Sequence, residues 1–121
     1  MDEHGRNLIR QWLLELNVAG SDRFALQLLI DICEHSGPRA LSYCTEDLGN
    51  GFYALLSRRK GGPELSPVFC FGPFGETEIT FLAGAVRKDK RLKPRYAAEV
   101  AEENLEVLLE NPQRRRRERV T

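Results

Sequence analysis

The chain has few of the residues on which several common chemistries depend. Its 121 residues include three cysteines, two histidines, one methionine and one tryptophan. Cys33, Cys44 and Cys70 are odd in number and form no C-x-x-C pair. The sequence therefore predicts the reduced thiols of a cytoplasmic protein, not a disulfide framework. His4 and His35 have no clustered partners, so no structural zinc site is expected, nor any other metal or cofactor. Neither histidine stands near a G-x-S-x-G turn, which argues against a Ser-His-Asp triad. No apolar run approaches the roughly 20 residues that span a bilayer. The opening Met1-Asp2-Glu3-His4-Gly5 is too polar and acidic to read as a secretory signal, and no membrane partner is expected.

An excess of charge of either sign is also missing. Lysine plus arginine number 18 and aspartate plus glutamate 18, with 41% hydrophobic and 30% charged residues. That balance suits an ordinary globular domain and excludes a uniformly basic nucleic-acid coat or an acidic solvating chain. It conceals a partition, however. Residues 1–56 carry four arginines against eight acids, a net −4; residues 57–86 balance; residues 87–121 carry eleven bases against seven acids, a net +4. Most of the excess is Arg87, Lys88, Lys90, Arg91, Lys93 and Arg95, diluted by Asp89 alone, with a second run at Arg114–Arg117 and Arg119.

Residues 7–17 read as a short helix, with Ile9, Trp12, Leu13 and Leu16 on one stripe. After Ala19-Gly20, Ser21 or Asp22 can cap a second helix that runs to about Ser36, with Ala25, Leu28, Leu29, Ile32 and Cys33 inward. Gly37-Pro38 ends it, the glycine offering a left-handed residue and the proline refusing to continue. The middle is rich in aromatic and β-branched residues. Phe52–Leu56, Val68–Phe71 and Glu78–Leu82, each introduced by glycine or proline, predict an antiparallel meander. Arg58–Pro63 is its first hairpin loop, and the polar Arg87–Pro94 segment is expected to end the sheet. A last helix is predicted from Arg95 to about Glu110, with Ala97, Val100 or Ala101, Leu105 and Leu108 inward, stopped by Asn111-Pro112. The order is α-α-β-β-β-α, an α+β domain over residues 1–112 with helices covering one sheet face and the other face solvated or serving a ligand. Residues 113–121 read as a basic, disordered tail.

Two cationic clusters are candidates for phosphate recognition. Arg87–Lys93 follows a buried strand, so a rigid element fixes its start and can hold cationic donors in place; the alternative is a solvated linker. Arg58, Arg59 and Lys60 sit in the glycine-rich loop, able to close over a nucleic-acid backbone or simply to guard a sheet edge. Tyr53 and Tyr96 stand beside cations, where a phenol can stack on a base or carry a proton; packing is the alternative for both. Trp12 reads as core, and His35 as a charge complementing the end of its helix.

Leu48-Gly49-Asn50-Gly51-Phe52-Tyr53, then Val68-Phe69-Cys70-Phe71, then Leu82-Ala83-Gly84-Ala85-Val86-Arg87-Lys88 with Pro94 and an Ala/Glu-rich helix, resemble the phage-derived, HigB-like branch of the RelE/ParE toxin superfamily. The likeness spans about residues 7–110. It implies a RelE-like fold with a helical hairpin packed on a small antiparallel sheet. It also implies a toxin of a type II toxin–antitoxin pair that cuts mRNA in the ribosomal decoding site without a metal. The implied catalytic residues are Arg87, Lys88, Lys90 and Tyr96, and the implied RNA-binding residues are Arg58, Arg59, Lys60, Arg91, Lys93, Arg95 and Tyr53. The implied partners are the ribosome, its mRNA and a cognate antitoxin, expected to be a helix-turn-helix protein. Where the family has E-L-R after the strand aromatic, this chain has Ala54-Leu55-Leu56. The alternative expectation is accordingly a non-enzymatic, ParE-like or catalytically decayed homologue that acts by binding a protein such as DNA gyrase.

Overall fold

The computed structural model describes residues 8–37, 44–59, 62–72 and 78–111. Two helices open it, α1 (Leu8–Glu15) and α2 (Gly20–Ser36). Seven short strands follow: β1 (Thr45–Gly49), β2 (Phe52–Leu55), β3 (Glu64–Leu65), β4 (Val68–Phe71), β5 (Ile79–Ala83), β6 (Val86–Lys88) and β7 (Arg91–Lys93). A final helix, α3 (Ala97–Glu110), closes the order. The α+β class and the antiparallel pairing agree with the sequence reading. Lys60, Pro38, Pro112 and the 113–121 tail lie outside the described residues.

The strands form two antiparallel sheets, β1-β2-β4-β5 and β3-β6-β7. They are two ends of one bent meander. β3 runs into β4 through Ser66-Pro67, and β5 into β6 through Gly84-Ala85, while the Ser66 N–H donates to the Ala85 carbonyl across the bend (2.9 Å). Pro67 has no N–H to offer the ladder, but its carbonyl still accepts from the Leu55 N–H at 3.1 Å. Gly84 has a packing reason. A Cβ there would fall inside the Trp12 indole, so only glycine lets α1 seat against the bend.

Side chains leave each strand on alternate faces, and both faces of this sheet are covered. Leu55, Phe69 and Ile79 pack with Ile9, Leu13, Leu26, Ile30 and Cys33 of α1 and α2. Phe52, Val68, Cys70 and Leu82 pack with Ala97 and Ala101 of α3. The expectation of helices on one face, with the other free, is therefore wrong. The alanines of α3 give it a flat, small-residue stripe that lies close on the strands. Burial of each large side chain in these cores contributes roughly 1.5–3 kcal/mol. A β-bulge at Leu82, where Val68 and Phe69 pair with Ala83 and Phe81, turns a carbonyl out of the ladder, and Asn104 of α3 donates to it at 2.6 Å. On the other side, Glu34 of α2 accepts from the Ile79 N–H at 3.1 Å.

Helix α2 starts at Gly20 behind Ala19, with no side-chain cap, so the Ser21 or Asp22 cap is not the one used. Gly37 does close it, at φ 61°, donating to the Cys33 carbonyl. Its buried face is Leu26, Gln27, Ile30 and Cys33; Leu28 and Ile32, expected inward, are about half exposed alongside Phe24. Two apolar stripes run along this helix, and periodicity alone does not choose between them. The segment expected to end the sheet, Arg87–Pro94, instead extends it as the β6–β7 hairpin. Its central residues Asp89 and Lys90 have φ 53° and 65°, the signature of a type I′ turn, whose twist matches that of paired strands. The edge strand β1, Thr-Glu-Asp-Leu-Gly, was not expected either, because it is polar and borrows its order from pairing with β2.

Candidate anion-binding cleft

The β6–β7 hairpin leans over the sheet end that carries β1 and encloses an open cleft of about 530 Å³. Glu46 and Leu48 of β1 form one wall; Arg87 of β6, Lys90 of the turn, Arg91 and Leu92 of β7, and Arg95 beyond it form the other. Four cations thus share the cleft with one carboxylate and two leucines, an excess of positive charge that suits a polyanion. The tight turn makes the hairpin a rigid carrier for charges that the sequence presented as a run.

Arg87 is the anchored member. Its side chain is only 13% exposed, Nη2 is ion-paired with Glu46, and Nη1 donates to the Lys90 carbonyl at 3.3 Å. Nε is buried without a hydrogen-bond partner. The other cations of the segment, Lys88, Lys90, Arg91, Lys93 and Arg95, are exposed. Pairing of Arg87 with Leu92 and of Val86 with Lys93 sets the hairpin's two faces. By strand alternation Arg87 and Leu92 share one face, and Lys88, Arg91 and Lys93 leave from the opposite one. Of these three, Arg91 lines the cleft, while Lys88 and Lys93 do not. Tyr96, 62% exposed, stands immediately before α3 and beside Arg95, open to solvent.

The remaining sequence candidates do not join this group. Tyr53 is half-buried on the α1–α2 side, with its ring centroid 5.8 Å from both Phe69 and Phe71. It packs against these rings because strand alternation turns it toward the helical hairpin. Arg59 is folded back, its Nε donating to the Pro63 carbonyl at 3.0 Å and its side chain lying over Gly62. Arg58 is exposed, and neither it nor Arg59 lines the cleft. The residue that sequence reasoning missed is Glu46. Nothing in Thr45-Glu46-Asp47 marks it, since its importance comes from a strand far away in sequence. Comparison of the chain with protein-family models, with curated proteins and with solved structures finds no match.

Proposed function

We propose that this protein is the toxin of a type II toxin–antitoxin pair, an endoribonuclease that binds mRNA on the ribosome through the β6–β7 hairpin. The observation that carries the reading is the convergence of Arg87, Lys90, Arg91 and Arg95 on one cleft. The reaction it suits is transesterification. The 2′-oxygen of a nucleotide attacks the adjacent phosphorus, the P–O5′ bond breaks, and the products are a 2′,3′-cyclic phosphate and a 5′-hydroxyl. The 2′-hydroxyl proton must leave and the 5′-oxygen must gain one, while cations offset the charge that grows on the phosphorane. Lys90 and Arg91 supply positive charge at the cleft. Tyr96, exposed and next to Arg95 in the chain, would carry a proton or stack on a base. A cognate antitoxin, expected to be a helix-turn-helix protein, would have to cover this hairpin to silence it.

A second reading rests on one specific observation. Ala54, wholly buried, and Leu56 stand where the resembled family has Glu and Arg, so this stretch contributes no charge to the site. That favours a non-enzymatic, ParE-like action by protein binding. Induced expression followed by mapping of 5′ ends on cellular mRNA separates the two. The nuclease reading expects growth arrest with new ends inside translated codons. It also expects Lys90→Ala with Arg91→Ala to reduce cutting by at least tenfold. Growth arrest with intact message would select protein binding; no arrest and no cutting would overturn both.

A further inference from the structure

Within the basic segment, the guanidinium best held by the fold is also the least available. Arg87 is tied by Glu46 at Nη2, and both Nη2 and Nε are shielded from solvent, whereas every other cation of the hairpin is exposed. Glu46 itself is 42% exposed and stands on the edge strand β1, at the mouth of the cleft. A carboxylate and a phosphate oxygen pair make the same demand on a guanidinium, two acceptors matched to its planar donor fork. From this geometry we infer that Glu46 is an internal counter-ion occupying the place of a phosphate on Arg87. The cleft then takes RNA by exchange: the Glu46 carboxylate swings toward solvent, and a backbone phosphate replaces it on Nη2 and Nε.

The exchange has an energetic logic. Arg87 is largely buried, and an unpaired buried cation is costly, so the empty site needs a substitute anion. A buried donor left without an acceptor, here Nε, is ordinarily an unfavourable feature, and a phosphate with several free oxygens can satisfy Nε and Nη2 together. Glu46 is half in solvent and loses little when released. It therefore sets affinity as a competitor and makes Arg87 respond to an anion that docks on Lys90, Arg91 and Arg95 as well, because a single free anion has no such additional contacts. The inference rests on the RNA-binding reading given above and adds to it the identity of the residue that gates the central contact.

The test is titration of a fluorescein-labelled, single-stranded oligoribonucleotide, 2′-O-methylated so that it resists cleavage, against the full chain over a series of salt concentrations. Five variants accompany the wild type: Glu46→Ala, Glu46→Gln, Asp47→Asn, Glu46→Ala with Arg87→Ala, and Lys90→Ala with Arg91→Ala. Release of the internal competitor is expected to tighten binding about tenfold in Glu46→Ala. Glu46→Gln, which keeps the size of the side chain, is expected to show the gain in part. Asp47→Asn changes net charge by the same amount on the neighbouring residue, and a gain there equal to that of Glu46→Ala would reduce the effect to general electrostatics and overturn the inference. So would unchanged binding in Glu46→Ala, or a gain that persists when Arg87 is also removed. Wild-type binding that is absent at all salt concentrations, or indifferent to Lys90→Ala with Arg91→Ala, would instead overturn the RNA-binding reading itself. Melting temperatures of the variants separate loss of fold from loss of binding.

Discussion

Cys33 and Cys44 meet at the junction of α2 with the sheet, Sγ to Sγ 3.2 Å, both buried and reduced. Burial, helped by the hydrogen bond with Cys44, pushes the Cys33 thiol from 9.0 up to about 12, and burial alone raises Cys70 to about 11. The unfolded chain loses these protons near the ordinary thiol value while the native chain keeps them. The stabilising contribution is thus fully present below about pH 9 and is lost as pH rises toward 12. Urea midpoints should fall across that window, and Cys33→Ala should show a shallower decline even though it starts lower. Native protein at pH 7 should resist iodoacetamide at all three cysteines, whereas urea-unfolded protein should react at once. The sequence alone shows that these thiols are not a paired framework; it does not show that two of them touch. The same limit applies to Arg87. Its charge is legible, but its partner Glu46 is not, because an ion pair between distant strands leaves no mark in local spacing.

Among the elements, the β6–β7 hairpin departs furthest from its sequence signal. Asp89-Lys90 occupies a turn whose positive φ values favour Asn-Gly, and an L-residue in the left-handed region costs roughly 1–2 kcal/mol. Lys90 thus brings its charge to the cleft at a cost to the turn. Lys90→Gly should therefore stabilise the protein by about 1 kcal/mol, measured by chemical denaturation, while RNA affinity in anisotropy titrations falls a few-fold. A rise in affinity, or a loss of stability, would contradict the placement of Lys90. Helices α1 and α3 and strands β2, β4 and β5 were legible because apolar residues recur at helical spacing or cluster in short β-rich runs. Strands β1, β6 and β7 were not, since their order comes from main-chain hydrogen bonds to neighbours and not from hydrophobic side chains.

At the scale of the whole molecule, the sheet is covered on both faces, and that arrangement decides where function can lie. With α1 and α2 on one face and α3 on the other, both faces of the four-stranded sheet are taken among the described residues. The open site is pushed to the end of the meander, where the bend at Pro67 and Gly84 brings the basic hairpin toward β1. Close seating of α3 depends on its small residues, Ala97 and Ala101, which are 1% and 0% exposed. Ala101→Leu should overpack this layer and cost about 1–3 kcal/mol, read as a lower urea midpoint; a neutral result would mean that α3 does not lie against β4 and β5 as described. Among the described residues, no helix is long and apolar enough to cross a membrane.

What the amino-acid order determined by itself is local: the helical spans, the three apolar strands, the glycine that ends α2, and a cationic run after β5. Each follows from side-chain periodicity or backbone preference within a few residues. The tertiary structure decided which of two apolar stripes on α2 is buried, that α3 takes the second sheet face, and that Tyr53 packs inward. It also decided that Glu46 meets Arg87 across the cleft. These are outcomes of competition among distant surfaces for the same core and the same counter-ions, and such competition is resolved only when the whole chain is folded.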